Sequence, residues 1–139
     1  VAAGNNGPRT MSITTPGISR KVITVGCSDD DREVLVGGNR MVDYSGRGPT
    51  AACICKPDLV APGCSVVSCS SRADKYTIKS GTSMSTPIVS GAVALLLERF
   101  PDMTNKDVKL RLRESSVDIG LPRNQQGWGL LDVGKMIGK

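Results

Sequence analysis

Residues 79–100 read KSGTSMSTPIVSGAVALLLERF. Just ahead of this stretch, Tyr76 and Ile78 alternate with polar residues, which predicts a short strand. Gly81 indicates a tight turn at the end of that strand. From Ile88 onward, apolar residues cover nearly every angle of a helical wheel, which is typical of a helix buried inside a sizeable domain. The stretch therefore predicts a strand, a turn and a buried helix in direct succession.

Pro87 indicates where this helix begins, because proline has no N–H group to bond the carbonyl of Ser83. A regular helix accommodates Pro87 only if it starts near Ser83. The unpaired N–H groups and the positive dipole end of a helix N-terminus favour an anion. A hydroxyl in that place is able to attack a carbonyl while its own N–H donates to the oxyanion that forms. The alternative is that Ser83 is only an N-cap, a position that serine favours.

Short segments that read as strands precede this unit, and most are rich in β-branched residues or bounded by turn residues. Two of them flank a Gly-Gly-Asn sequence and are expected to pair as a hairpin. The predicted strands are residues 1–4 (as the end of a buried strand), 21–27, 33–36, 40–43, 59–61, 65–68 and 75–80.

Two more helices follow, each with a recognisable start. Thr104 is a favourable N-cap, and Asp107 three residues later resembles the partner in a capping box, with Asp in place of Glu. Asp132 is placed to cap a last short helix over residues 133–137. Short strands followed by buried helices predict an α/β fold with a mostly parallel sheet.

Length and composition limit the possible functions. The 139 residues suffice for one domain, and aromatic residues make up only 3%, so the stacking platforms of single-stranded nucleic-acid binders are nearly absent. The net charge is +5, but only Lys109, Arg111 and Arg113 crowd together in sequence, and they do not form one stripe on a helix. The chain has no histidine, which excludes a His-ligated metal site and any Ser-His or Cys-His pair within these residues.

The cysteines allow two interpretations. A zinc site built from the last four would have the wrong spacing for a ribbon or a finger. We instead interpret the residues as small buried thiols, which favours a reducing compartment. The odd number leaves at least one thiol unpaired within the chain. The five are Cys27, Cys53, Cys55, Cys64 and Cys69.

Five segments resemble landmark sequences of the subtilisin-like serine proteases. Residues 81–91, GTSMSTPIVSG, resemble the family's highly specific nucleophile motif. The other four occur in the family's order along the chain. The resemblance implies a partial three-layer α/β domain with a mostly parallel sheet and a buried central helix that starts at the nucleophile. The remaining segments are VAAGN at 1–5, YSGRGP at 44–49, KPDLVAPG at 56–63 and GWGLLD at 127–132.

By this resemblance, Ser83 is the catalytic nucleophile. Asn5 would supply the side-chain donor of the oxyanion hole, together with the Ser83 backbone N–H. Ile88 stands where the family commonly has a histidine, but that histidine is not the catalytic base, so the departure puts little in doubt. The implied substrate-binding residues, on one wall of the pocket for the side chain before the scissile bond, are Ala2, Ala3, Gly4 and Asn6.

The family's triad runs in the order Asp, His, Ser, so both partners of the serine precede the segment that matches Val1. The resemblance therefore implies that residues 1–139 are the C-terminal half of a peptidase domain. None of the 13 acidic residues matches the triad aspartate, and Asp43, Asp58 and Asp74 are interpreted as turn or cap residues.

The expected parent protein is a serine endopeptidase that acts through an acyl-enzyme, whereas the isolated chain is expected to be inactive, because a hydroxyl without its base is a weak nucleophile. One alternative is a non-catalytic binding module from a degenerate protease homologue. Another is a small basic domain that binds metal or nucleic acid.

The expected partners are protein or peptide substrates, with neither nucleic acid nor a membrane. No cofactor or metal ligand set is predicted: calcium is common in the family, but Asp29–Asp31 is interpreted as a solvated turn and not as a calcium loop. Strands outside the chain would leave open sheet edges, so self-association is expected. Localisation stays open, because the family is often exported while unpaired thiols favour the cell interior.

Overall fold

A computed structural model describes residues 1–28, 42–71 and 75–139. Nearly all of the hairpin predicted for residues 33–43 lies outside these ranges, as do Asp29–Asp31 and Asp74. The described elements are the strands β1 (Val25–Ser28), β2 (Leu59–Pro62), β3 (Val66–Cys69) and β4 (Tyr76–Lys79), and the helices α1 (Thr82–Arg99), α2 (Asn105–Ser115), α3 (Arg123–Gln126) and α4 (Val133–Ile137).

A parallel sheet forms the centre of the fold. β1 and β2 pair in parallel, with Val25 opposite Leu59. Single parallel bridges extend this pair on both sides, from Ala2 to Val25 and from Leu130 to Val60. All four residues of β1 are buried, as expected for a parallel strand covered on both faces. The prediction of an α/β fold built on parallel strands is confirmed.

One face of α1 packs on this sheet through Val89, Ala92 and Leu96. These side chains belong to a single apolar cluster that joins the sheet to α1, α2 and α4. Burial of large aliphatic side chains of this kind contributes about 1.5–3 kcal/mol each. The buried members of the cluster are Val25, Leu59, Ala61, Val89, Ala92, Leu96, Val108, Leu112 and Met136.

The other side of α1 is more open. Leu95 is 50% exposed, and Ile88 and Val93 are only partly buried. A groove of about 360 Å³ separates α1 from the start of the chain, with Val89 and Val93 in one wall and Val1 in the other. Although α1 is apolar around nearly its whole circumference, the described residues cover it along one side only.

Both predicted helix caps are confirmed. The Thr104 hydroxyl accepts a hydrogen bond from the Asp107 N–H at 3.3 Å, and the Asp107 carboxylate accepts one from the Thr104 N–H at 2.9 Å. Asp132 accepts from the Lys135 N–H at 2.9 Å, and α4 has the predicted bounds. These elements follow from local sequence because their caps satisfy backbone groups within one turn.

The first strand begins later than predicted, at Val25 and not at Lys21. The backbone carbonyl of Val22 accepts from the ammonium groups of Lys56 at 3.0 Å and Lys109 at 3.2 Å. Distant lysine side chains thus take a carbonyl that a longer strand would have used in its ladder.

Asp58 is the centre of a buried ion cluster, so its interpretation as a turn or cap residue is wrong. Its Oδ2 atom lies 2.5 Å from the Lys56 ammonium and accepts from the Thr24 N–H at 2.8 Å. Its Oδ1 atom lies 3.6 Å from the Lys109 ammonium. Desolvation lowers the pKa of Lys56, while the hydrogen bond and the charge of Asp58 act in the opposite direction. Asp43, by contrast, does lie in a turn.

The interpretation of the cysteines as small buried thiols is wrong for four of the five. Only Cys27 is buried; Cys64 is partly exposed, and Cys53, Cys55 and Cys69 are exposed. No disulfide joins cysteines in the described ranges. Nor does any group of three or more Cys, Asp or Glu side chains in those ranges come together as a metal site.

Candidate active site

A hairpin leads into the turn in front of α1. β3 and β4 pair in antiparallel register, with Val67 opposite Ile78. At Gly81 the backbone adopts a φ of 150°, which side-chain-bearing residues rarely adopt, and its N–H donates to the Gly63 carbonyl at 2.8 Å. α1 begins at the next residue, so the predicted succession of strand, turn and helix is confirmed.

Ser83 is the second residue of α1 and is exposed to solvent. The N-cap position belongs to Gly81, and no side chain caps this helix, so the alternative in which Ser83 is the N-cap is wrong. The first turn of α1 contains no acidic residue. The positive end of the helix dipole therefore acts on an exposed hydroxyl with no neighbouring carboxylate in that turn.

Asn5 reaches this turn from a loop 77 residues away in sequence. Its side-chain oxygen accepts two hydrogen bonds from Thr82, one from the backbone N–H at 3.1 Å and one from the hydroxyl at 2.9 Å. The Thr82 hydroxyl in turn accepts from the Gly4 N–H at 3.2 Å. Asn5 is thus held against the residue next to Ser83.

These contacts settle the orientation of the Asn5 amide. A backbone N–H is able only to donate, so the Asn5 atom that faces Thr82 must be the oxygen. The amide nitrogen consequently lies on the other side, next to Gly81, where a Cβ atom at position 81 would stand 3.2 Å from it. Asn5 is exposed, so its N–H groups are available to an external acceptor.

Thr82 was not singled out from the sequence, although it stands inside the nucleophile motif. Its side chain is 1% exposed and links Gly4, Asn5 and the start of α1. A threonine next to a candidate nucleophile carries no local signal for this task, because its partners lie far away in sequence.

The residues predicted for the pocket wall differ in exposure. Ala2 and Gly4 are partly buried and Asn6 is exposed, but Ala3 is fully buried. Gly4 has a φ of 95°, and a Cβ atom there would lie 2.8 Å from the Thr14 Cγ2 atom. Thr14 therefore packs directly against the Gly4 backbone, a contact that requires glycine at position 4.

A tight layer supports the nucleophile turn from inside. At Gly63, a Cβ atom would stand 2.7 Å from the Cys27 sulfur and 2.9 Å from the Gly81 carbonyl, so glycine is required for this approach. Ser85 lies in the same layer; it is 0% exposed, and its hydroxyl has no hydrogen-bond partner among the residues that the structure describes. Above this layer, the Asn5 amide nitrogen and the Ser83 backbone nitrogen lie 3.2 and 3.8 Å from the same point, a Cβ atom built on Gly81, so the two predicted site residues come together.

The geometry lacks a proton acceptor for Ser83, since the chain has no histidine. Of the aspartates considered from the sequence, Asp58 is engaged with Lys56, and Asp43 lies 3.8 Å from the Arg47 guanidinium. The described residues therefore assemble a hydroxyl, a helix N-terminus and an amide donor, but no general base.

Comparison with known proteins supplies the context for this site. The model of the Subtilase family matches residues 1–129. The serine protease AprX of Bacillus subtilis (strain 168) is 41% identical over 129 residues, a match that covers 84% of this chain and 29% of AprX. The halolysin-like extracellular serine protease Nep of Natrialba magadii is 32% identical over 132 residues, covering 95% of this chain and 21% of Nep.

Solved structures agree on the fold. A psychrophilic protease named S41 superposes with a TM-score of 0.77 at 30% identity, covering 95% of this chain and 47% of that one. The prenylagaramide maturation protease PagA gives a TM-score of 0.75 at 27% identity, with coverage of 98% and 48%. The chain therefore spans less than half of the proteases it matches here. No helix within the described ranges has the length and apolarity to cross a membrane.

Proposed function

Because this chain belongs to the subtilase family of serine proteases, we propose that it carries the nucleophile and the oxyanion hole of an endopeptidase that cleaves peptide bonds through an acyl-enzyme. The observation that carries the proposal is the exposed Ser83 at the start of α1 beside an Asn5 amide whose oxygen is already bound by Thr82.

In the proposed reaction, the Ser83 oxygen attacks the carbonyl carbon of the scissile peptide bond. The carbonyl oxygen becomes an oxyanion that accepts hydrogen bonds from the Ser83 N–H and from the Asn5 Nδ2 group. Thr82 leaves this nitrogen free to donate, because it occupies the amide oxygen. A donor of this kind is worth about 100- to 1,000-fold in kcat, a figure established on subtilisin itself.

Collapse of the tetrahedral intermediate expels the amine and leaves an ester on Ser83, which water then hydrolyses. In the first step a base takes the serine proton and gives it to the leaving amine; in the second the same base takes a proton from the attacking water and returns it to the Ser83 oxygen. The chain has no histidine, so in this proposal the His and Asp come from polypeptide outside residues 1–139, which form the C-terminal half of the peptidase domain. The chain alone is then proteolytically inactive.

A second candidate function is a non-catalytic binding module from a protease homologue that has lost its base. The absence of a proton acceptor beside Ser83 in the described residues is compatible with it. The sequence that precedes Val1 in the gene distinguishes the two, because an enzyme must encode the triad Asp and His there.

The decisive experiment compares the chain alone with the complete gene product on a peptide p-nitroanilide. The proposal expects turnover and labelling by a fluorophosphonate in the complete protein only, both abolished by Ser83→Ala. Asn5→Ala should lower kcat by about 100-fold or more with little change in KM. Ser83-dependent hydrolysis by the purified chain alone would contradict the need for an external base, and a complete protein with no turnover would favour the binding module.

The redox state of the cysteines bears on the localisation of the parent protein. Nep is described as extracellular, which supports export of the parent protein. Exposed cysteines without disulfides support a reducing compartment instead. Thiol titration of the parent protein, isolated from its own cell fraction under non-reducing conditions, separates these two proposals.

A further inference from the structure

We propose that a basic cleft formed by Arg20, Lys21, Lys106 and Lys109 binds an acidic peptide segment. The cleft has a volume of about 410 Å³, and Ile23 and Asn105 complete its wall. None of these residues has a part in the proposed catalytic site. The inference therefore stands or falls independently of the proposed protease function.

The fold assembles this basic cleft from two distant segments. The Lys109 ammonium, on α2, donates to the Arg20 carbonyl at 3.1 Å and to the Val22 carbonyl at 3.2 Å. These bonds hold the first half of α2 against the residues that precede β1. Lysines and an arginine that are scattered along the sequence thus surround one concave surface.

The positive charge of the basic cleft is poorly compensated. Arg20, Lys21 and Lys106 are exposed, and none of them takes part in an ion pair in the ranges that the structure describes. Asp58 lies behind the cleft, is 7% exposed, and faces two ammonium groups, those of Lys56 and Lys109. The single charge of Asp58 is therefore shared between two ammonium groups, and it does not compensate the three exposed cations.

The nearest acidic residue on α2 is already engaged. The Asp107 carboxylate accepts from both the N–H and the hydroxyl of Thr104, at 2.9 and 2.7 Å. It also lines a different cleft, together with Arg99 and Phe100. Asp107 keeps its negative charge and attracts the neighbouring Lys106, so it offsets one positive charge of the basic cleft and leaves those of Arg20 and Lys21.

The chemistry favours acidic polypeptide over nucleic acid. Protein carboxylates on a flexible chain are able to meet the separate ammonium groups one by one, while Ile23 and the lysine stems contact apolar side chains between them. Single-stranded nucleic acids are held largely by stacking on aromatic rings, and no aromatic residue is among those that line the basic cleft. The positive charge and the apolar stems of the basic cleft therefore favour an acidic peptide segment as its ligand.

The test measures binding of a short fluorescein-labelled peptide rich in glutamate and leucine, by fluorescence anisotropy, to the complete gene product carrying Ser83→Ala, which prevents cleavage of the peptide. Lys106→Gln should weaken binding about 3-fold, and Lys106→Glu roughly 5- to 10-fold. Lys139→Glu, at the exposed chain end, makes the same change in net charge and should leave the affinity within about 2-fold. Binding should weaken as NaCl rises from about 0.05 to about 0.3 M.

Three results would overturn the proposal. The first is no measurable binding of the glutamate peptide at low salt by a variant whose circular dichroism shows it folded. The second is an equal loss of affinity in Lys106→Glu and Lys139→Glu, which would assign binding to net charge alone. The third is binding of duplex DNA or inorganic phosphate that depends on Lys106 while the peptide does not bind, which would assign the cleft to another ligand.

Discussion

Replacement of Asp58 by Asn tests the buried ion cluster, and with it the anchoring of the segment ahead of β1. Asn keeps the size of the side chain and an oxygen able to accept from the Thr24 N–H, so the substitution isolates the charge. Lys56, whose side chain is 1% exposed, then loses the carboxylate that lies 2.5 Å from its ammonium group. Removal of one partner from a buried ion pair costs about 3–5 kcal/mol. We expect about 3 kcal/mol, because the hydrogen bonds remain.

Two further variants complete a double-mutant cycle. Lys56→Met keeps the apolar stem and leaves Asp58 next to Lys109, 3.6 Å away, so it should cost only about 1–2 kcal/mol. The double variant, Lys56→Met with Asp58→Asn, contains no buried unpaired charge at these two positions. Its loss of stability should therefore be smaller than the sum of the single losses by about 2 kcal/mol.

The change of folding stability with pH provides an independent test of the ion cluster. Desolvation lowers the pKa of Lys56 in the folded chain below its ordinary value of 10.5. The unfolded chain then binds more protons between the two pKa values, so stability rises with pH in that window. Asp58 opposes this shift, so Asp58→Asn lowers the folded pKa further and widens the window. The penalty of the substitution should shrink as the pH is raised from about 7 to about 10.

Urea unfolding followed by fluorescence is the appropriate assay. Trp128 is the only tryptophan of the chain, and its backbone N–H donates to the backbone carbonyl of Asp58 at 2.7 Å. The reasoning is refuted if Asp58→Asn costs less than about 1 kcal/mol at neutral pH, or if the cycle is additive and the penalty does not change with pH.

Four other outcomes follow from the structure. Thr82→Val should lower kcat of the complete enzyme about 5-fold with little change in KM, because Asn5 loses a hydrogen bond worth about 1 kcal/mol. Thr82→Ser keeps the hydroxyl and should retain activity, so equal activity of the Val and Ser variants in a steady-state assay would exclude this role. Leu96→Ala should destabilise the chain by about 2–5 kcal/mol in urea unfolding, whereas Leu95→Ala, at a half-exposed position, should change stability by about 0.5 kcal/mol or less; similar losses would contradict the one-sided burial of α1. Hydrogen bonds from the Thr104 side chain and backbone lower the pKa of Asp107 below its ordinary value of 3.8. The stability that this carboxylate provides is therefore fully present above pH 3.8 and is lost as the pH falls through the lowered pKa. Thermal unfolding curves of wild type and Asp107→Asn should converge in acid, and a constant gap between them would refute the assignment. The open side of α1 and the sheet edge at Ala2 should make the isolated chain self-associate, so light scattering that reports a monomer at all concentrations would count against that expectation.

The helix starts and the nucleophile turn could be predicted because their determinants are local. Pro87 restricts the start of α1 because it has no N–H to donate. Thr104 and Asp107 specify the start of α2 through hydrogen bonds that span one turn. The start of β1 could not be predicted in this way, because lysines far along the chain bind the Val22 carbonyl. Local propensity is a weak guide wherever long-range partners compete for the same backbone group.

The candidate site likewise combines features that local sequence predicts with features that depend on distant residues. Ser83 and Asn5 were identified through sequence motifs, but the orientation of the Asn5 amide depends on Thr82, 77 residues away. The burial of the cysteines was misjudged, because a cysteine has no periodic pattern that distinguishes an exposed loop from a core position. Asp58 was misjudged for a related reason, since the sequence does not show that Lys109 reaches it.

Periodicity, capping residues and proline placement along the chain are enough to establish an α/β protein with a serine at the mouth of its longest helix, since each acts within a few residues. Three features depend on contacts between segments that are distant in sequence: the hydrogen bonds between Thr82 and Asn5, the buried ion cluster around Asp58 and the basic cleft. Hydrogen-bond and charge partners far apart in sequence leave no periodic trace, so these sites exist only once the packed core has fixed the distances between them.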